Sequence, residues 1–142
     1  MLILFIILTA AAVVIFYLWC ISPNKGRNEE MKTFEKQYIA DRGLFDNKGP
    51  APENSLADFR KAVEKGYGIE LDVQMTTDGR LVVFHDFELE RMCGVKKKKV
   101  TECSFEELRK LRLAGTDEKI PLLDEALEVI GGRVPLVVEI KP

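Results

Sequence analysis

The fold is decided by the stretch IELDVQMTTDGRLVVFHD, residues 69–86 of the chain. Apolar and polar residues alternate from Ile69 to Gln74, which is the period-two pattern of a strand with two different faces. Asp78-Gly79 is a turn signal, and the apolar run at 81–84 is typical of a strand buried on both faces. The sequence therefore predicts two strands joined by a tight turn.

Three chemically active side chains lie in this stretch. Glu70 and Asp72 are two residues apart on one strand, so they share a face with Cα atoms about 6.6 Å apart. Hard divalent cations bind carboxylate oxygens at about 2.0–2.6 Å, and this pair can converge on one ion. His85, the only histidine in the chain, can exchange a proton near neutral pH. The alternative interpretations are a solvated strand face and a structural histidine.

The first 24 residues differ in composition from the rest of the chain. Residues 1–24 contain no charged side chain, and Met1–Cys20 is almost entirely apolar, long enough for a helix across a bilayer core of about 30 Å. A signal peptide would need a basic start and small residues at the cleavage site, and this segment has a bulky end and no basic start. We therefore expect a single-pass transmembrane anchor over residues 1–22.

Basic residues follow the apolar segment and none precede it. Lys25, Arg27 and Lys32 lie in a polar linker, residues 23–35, that joins the anchor to the domain at 36–142. The positive-inside tendency predicts that this domain lies on the cytoplasmic side of the cell membrane.

Predicted strands and helices alternate in the domain. Besides 69–86, the sequence predicts strands at 37–40 and 135–141, helices at 53–65, 104–111 and 121–130, and a loop at 91–101. This alternation favours parallel βα units of an α/β fold, a (β/α)8 TIM-type barrel with polar residues at the C-terminal strand ends. Because such a barrel needs about 250 residues, we expect only about its first four strands and interpret the chain as part of a longer enzyme.

Further polar residues lie at or near the C-terminal ends of the other predicted strands. Glu139 can supply a third carboxylate to a cation, and Lys141 on the same face offers a positive charge to a phosphate. Arg42 offers a planar guanidinium group to the same phosphate. An ion pair between Glu139 and Lys141 is the alternative. Together these residues predict a metal-assisted phosphate site.

Six short motifs resemble those of the glycerophosphodiester phosphodiesterase family, in order and at similar spacing. They are IADRG at 39–43, APENS at 51–55, GIELDV at 68–73, DG at 78–79, VFHD at 83–86 and VEIK at 138–141. The resemblance implies a TIM-type barrel that hydrolyses glycerophosphodiesters with Ca²⁺ or Mg²⁺. It also implies that Glu70, Asp72 and Glu139 are the metal ligands and that Arg42 and Lys141 contact the phosphate.

The remaining roles implied by the resemblance concern proton transfer. His85 is similar to one of the family's two acid/base histidines, and Glu53 to a residue that shapes the site beside the metal. The other histidine belongs to a His-Arg-Gly motif, which is Asp41-Arg42-Gly43 here. An unperturbed aspartate has a pKa of about 3.9 and has no proton to donate near neutral pH. We therefore expect Asp41 to be a poor catalytic replacement.

Two functions from different classes follow. The first is a membrane-anchored phosphoric diester hydrolase that cleaves glycerophosphodiesters to an alcohol and glycerol 3-phosphate, impaired by Asp41 and by truncation of the barrel. The second is a non-catalytic membrane protein that binds a divalent metal or a phosphodiester head group. The predicted partners are a small-molecule substrate and the membrane, with no nucleic acid, and the sequence gives no oligomeric state.

Overall fold

The computed structural model describes residues 1–22, 31–32 and 34–142, except the side chains of residues 2 and 3, and forms two compact units, Met1–Glu35 and Lys36–Pro142. The first unit contains helix α1, Leu2–Ile21. Its segment Leu4–Ile21 is long and apolar enough to cross a membrane, and none of that segment is buried. The predicted linker at 23–35 lies largely outside the described residues.

The second unit is a four-stranded sheet with short helices. Its strands are β1 (Ile39–Ala40), β2 (Gly68–Met75), β3 (Leu81–Val83) and β4 (Leu136–Ile140). Its helices are α2 (Leu56–Lys65), α3 (Glu90–Cys93), α4 (Phe105–Leu108) and α5 (Leu123–Ile130), with a 3₁₀ turn at Val100–Glu102.

Strand β2 is the centre of the sheet. Ile69 of β2 pairs with Ala40 of β1 in parallel, and Val73 pairs with Val83 of β3 in the antiparallel direction. Strand β4 pairs in parallel with the whole stretch from Ile69 to Val73, along the opposite edge. Strands β1 and β3 therefore share one edge of β2, where they approach each other from opposite ends.

The direction of β3 corrects the prediction of four parallel barrel strands. Only β1, β2 and β4 are parallel among the described residues, and β3 returns as the second strand of a hairpin. The physical reason is the length of the connection. A parallel pair needs a crossover of about a dozen residues or more, whereas β2 and β3 are separated only by residues 76–80.

Two apolar clusters form the core, on opposite faces of β3. Val83 packs with β2, α2 and α5 in the first cluster, while Val82 packs in the second with residues that follow β3. The prediction that this strand is buried on both faces is therefore confirmed. Leu108 and Leu113 lie in the second cluster, and the helix predicted at 104–111 is only Phe105–Leu108.

Local signals set the ends of the other helices. Ser55 caps α2 by accepting a hydrogen bond from the backbone N–H of Asp58, so the helix begins at Leu56 rather than at the predicted residue 53. Glu53 consequently stays in the loop between β1 and α2, where it is free of helical geometry. The predicted loop at 91–101 is also partly helical, since it includes the end of α3 and the start of the 3₁₀ turn.

Candidate active site

The chain segments that follow β1 and β3 meet beside the middle of β2. Strand β1 ends opposite Ile69 and β3 ends opposite Val73, so both segments leave the sheet at the same part of its edge. The backbone N–H of Arg42 donates to Oε2 of Glu70 at 3.1 Å. Nη2 of the Arg42 guanidinium lies 2.8 Å from Nε2 of His85. Because β3 runs antiparallel to β2, His85, which follows β3, lies close to the part of β2 that carries Glu70.

Three acids converge across β2 and β4. Glu70, Asp72 and Glu139 each place a carboxylate oxygen within 4.8 Å of the others. The strand register explains this, because Asp72 pairs directly with Glu139 and Glu70 shares the face of Asp72. Oxygens at this separation can bind one divalent cation at about 2.0–2.6 Å each. The donor set therefore fits Ca²⁺ or Mg²⁺.

A lysine compensates part of the negative charge of these acids. Nζ of Lys141 lies 2.9 Å from Oδ1 of Asp72 and 2.5 Å from Oε1 of Glu139. Burial opposes its ionisation, but its contacts with these two acids together raise the pKa of Lys141. Lys141 is therefore a fixed positive charge at the edge of the three-acid group.

The pKa of Glu70 reflects its burial and the negative charge that Lys141 does not compensate. Burial raises the pKa of Glu70, the hydrogen bond from the Arg42 backbone opposes the rise, and the negative charges of Asp72 and Asp41 add to it. A cation at the three acids would relieve this repulsion. Asp41 itself is exposed, and its Oδ2 lies 3.9 Å from Nε of Arg42.

His85 is held by contacts to its backbone and to its ring. The side-chain amide of Gln74 donates to the carbonyl oxygens of Phe84 and Asp86, both at 2.8 Å, which fixes the chain on both sides of the histidine. Nδ1 of the ring lies 2.7 Å from Oδ1 of Asp86. The imidazole is therefore held by Asp86 at one nitrogen and faces Arg42 with the other.

Glu53 belongs to a different acidic group from the three acids on β2 and β4. It lies with His85 and Asp86, with one potential ligand atom from each within 4.8 Å of the others. The guanidinium of Arg91 binds both carboxylates of this group, so its charge is already balanced by an arginine. Burial disfavours the ionised form of Glu53, yet Arg91, Asn47 and Arg42 together hold its pKa below the ordinary value.

Three residues of the site had not been singled out from the sequence. Asn54 donates from Nδ2 to Oδ2 of Asp72 at 3.0 Å in the buried part of the site. Asn54 is part of the APENS motif, and Gln74 continues the polar face of Glu70 and Asp72. Both residues could therefore have been singled out from the sequence. No sequence pattern pointed to Arg91, because it lies in a segment predicted as a loop.

Comparison with known proteins identifies the family of the chain. Residues 42–142 match the sequence model of the glycerophosphoryl diester phosphodiesterase family. The chain belongs to this family. A glycerophosphodiester phosphodiesterase from Caldanaerobacter subterraneus subsp. tengcongensis is 44% identical over 121 residues, which cover 78% of this chain and 46% of that protein. Human glycerophosphodiester phosphodiesterase 1 is 36% identical over 101 residues, 64% of this chain and 30% of that protein.

Solved structures of glycerophosphodiester phosphodiesterases and a related phosphodiesterase share the fold. The Oleispira antarctica phosphodiesterase, solved with the product sn-glycerol-3-phosphate, gives a TM-score of 0.68 at 36% identity over 78% of this chain and 47% of that chain. The Thermotoga maritima glycerophosphodiester phosphodiesterase gives a TM-score of 0.62 at 33% identity, over 76% of this chain and 45% of that chain. The fold of the second unit therefore matches part of the TIM-type barrel of these proteins. The chain spans about half the length of these bacterial relatives.

Proposed function

We propose that this chain acts as a membrane-anchored phosphoric diester hydrolase that cleaves glycerophosphodiesters to an alcohol and glycerol 3-phosphate. The observation that carries the proposal is the position of the Arg42–His85 pair next to the three acids Glu70, Asp72 and Glu139. Ca²⁺ or Mg²⁺ bound there would supply positive charge to a phosphodiester oxygen. The relative solved with sn-glycerol-3-phosphate supports this substrate class.

The side chains around the acids have complementary roles in this proposal. Arg42 presents a planar guanidinium group to two phosphate oxygens, and Lys141 presents a point charge to a third. His85 exchanges the proton of the attacking or the leaving oxygen through Nε2. Glu53 contacts Arg42 at 3.3 Å and sets the direction of its guanidinium. Asp41 stands at the position of the family's other histidine and reduces turnover.

We also propose three regions for the chain. Residues 1–22 form the single-pass anchor, 23–35 the linker and 36–142 the barrel part, which lies on the cytoplasmic side of the cell membrane. Helix α1 supports the anchor because its segment Leu4–Ile21 is apolar and unburied. Labelling of a cysteine introduced into residues 36–142, in intact and in opened cells, tests the orientation.

A second candidate function is a membrane protein that binds a divalent cation or a phosphodiester head group without turnover. The observation that favours it is Asp41, which removes a proton-transfer residue while Arg42, Lys141 and the three acids are retained. The two functions share a site and differ only in whether the bound phosphodiester is cleaved.

The deciding experiment measures choline release from glycerophosphocholine by the full chain in detergent micelles, with and without a chelator. Glu70→Gln removes one of the proposed ligands, and Glu128→Gln, an exposed acid on α5, is the matched control. Release that stops with the chelator and with Glu70→Gln supports the hydrolase. Thermal stabilisation by glycerol phosphate without release supports the binding protein. The absence of both effects contradicts both functions.

A further inference from the structure

Arg91 of α3 connects two acids from separate parts of the chain. Its Nη1 and Nη2 donate to the two carboxylate oxygens of Glu53 at 2.9 and 2.5 Å. Its Nε and Nη2 donate to the two oxygens of Asp86 at 2.6 and 2.8 Å. Glu53 precedes α2 and Asp86 follows β3, so this guanidinium ties the two loops on either side of Arg42 and His85 together.

The geometry requires an arginine rather than any positive charge. A guanidinium has five N–H donors in a fixed plane, whereas an ammonium group is a single point with three donors. Arg91 binds both oxygens of both carboxylates at once. Glu53 is only 3% exposed, so its negative charge is compensated by this contact rather than by water.

The two neighbours of the His85 ring determine its tautomer. Arg42 can only donate hydrogen bonds, so the ring nitrogen 2.8 Å from it, Nε2, is an acceptor and carries no hydrogen. The hydrogen of the neutral ring is then on Nδ1, which donates to the Asp86 carboxylate at 2.7 Å. The same oxygen of Asp86 accepts from Arg91, so the orientation of this carboxylate depends on both contacts.

We propose that Arg91 is a positioning residue of the site, which acts through Asp86 to hold His85 in the Nδ1–H tautomer with Nε2 directed at the phosphate-binding Arg42. Arg91 also fixes Glu53, an acid that contacts the guanidinium of Arg42. The role deepens the proposed phosphodiesterase function and rests on it. It assigns a task to a residue outside the six motifs that carry the family resemblance.

The test uses the single histidine of the chain. In the full chain, labelled with ¹⁵N-histidine and held in detergent micelles at a pH that keeps the ring neutral, long-range ¹H–¹⁵N correlation reports which nitrogen carries the hydrogen. We expect the Nδ1–H form in the parent chain and a several-fold fall of its ratio to the Nε2–H form in Arg91→Gln. A histidine without a fixed partner can carry its hydrogen on either nitrogen.

Arg109→Gln is the matched control. Arg109 forms a two-contact pair with Glu125, at 2.8 Å for both hydrogen bonds, and is expected to leave the tautomer unchanged when replaced. Arg91→Lys keeps the charge without the fork and should shift the ratio in the same direction as Arg91→Gln, but less. If Arg91→Gln does not fold, the comparison is made with Arg91→Lys.

The proposal is overturned by an Nε2–H form in the parent chain, or by an unchanged ratio in the folded Arg91 variant. The measurement needs no turnover and no added cation. A parent chain that shows no phosphodiesterase activity, while Arg91→Gln still shifts the tautomer, would therefore contradict the proposed function alone. An unchanged tautomer in an active chain would contradict the positioning role alone.

Discussion

Arg42 and His85 are 43 residues apart in the sequence, yet Nη2 of the arginine lies 2.8 Å from Nε2 of the histidine. The contact exists because β1 and β3 end at the same edge of β2 from opposite directions. The group that we propose to bind phosphate and the group that we propose to exchange a proton are thus in direct contact. Asp41 precedes Arg42 directly, and its Oδ2 lies 3.9 Å from Nε of that arginine. We propose that a histidine at this position would take part in proton transfer.

Asp41→His is expected to increase the rate of glycerophosphocholine hydrolysis. General acid/base assistance contributes about 10²–10⁴-fold to a rate, and we expect a gain of that order because the imidazole can donate a proton near neutral pH. Asp41→Asn is the control, since it removes the negative charge without adding a titrating group. Turnover of the three chains is compared in micelles with added Ca²⁺ or Mg²⁺. A folded Asp41→His chain with no gain over Asp41→Asn would contradict this account of the site.

The acidic part of the site could be predicted from the sequence because it depends on strand periodicity. Residues two apart on a strand share a face, so Glu70 and Asp72 had to lie together. Glu139 joins them because of the β2–β4 register, which places it opposite Asp72. The family resemblance had implied this contact, and the structure brings the three acids together.

The position of Arg91 could not be predicted in the same way. The contact between Arg91 and Glu53 spans 38 residues and depends on where α3 packs, which no local pattern specifies. The direction of β3 was also mistaken, because an apolar run looks the same in a parallel and in an antiparallel strand. The length of the connection at 76–80 carried the missing information.

Asp58 is a buried acid beneath the Arg42-Gly43 turn. It is completely buried in α2, and neither of its carboxyl oxygens has a hydrogen-bond partner among the described residues. Burial raises the pKa of Asp58 to about 9 from an ordinary value of 3.8. The backbone N–H groups of residues 54, 55 and 59 oppose this rise, and the negative charge of Glu118 adds to it. The folded chain therefore holds a proton that the unfolded chain releases at neutral pH.

Asp58→Asn is expected to remove a pH dependence of stability. A group with a raised pKa stabilises the fold fully below its unfolded pKa, and the contribution is lost as the pH rises through the folded pKa. For Asp58 the window runs from 3.8 to about 9, with a loss of about 1.4 kcal/mol per pH unit. Urea unfolding of the full chain at several pH values in this window measures the slope.

Asp124→Asn is the control for that slope, because Asp124 is an exposed acid in the first turn of α5. We expect this variant to keep the parent slope, whereas Asp58→Asn flattens it and gains stability at the alkaline end. Equal slopes in the parent chain and in Asp58→Asn would show that Asp58 is ionised in the folded chain.

Gly43 is expected to tolerate no side chain because of Asp58. Its φ is +86°, and a Cβ atom would lie 2.4 Å from Oδ2 of Asp58. Gly79 has a similar φ of +73°, with no atom of the described structure within 4 Å of its Cβ position. Both alanine variants carry the backbone cost of the left-handed region, about 1–2 kcal/mol. Only Gly43→Ala adds the overlap with Asp58.

The difference between the two variants therefore measures the overlap. We expect Gly79→Ala to lower the free energy of unfolding by about 1–2 kcal/mol and Gly43→Ala to lower it by clearly more. Combining Gly43→Ala with Asp58→Ala should return its cost to that of Gly79→Ala, because the truncated side chain no longer occupies the Cβ position. If Gly43→Ala costs the same in the presence and absence of the Asp58 carboxyl, the close approach of these two residues is not what requires a glycine beside Arg42.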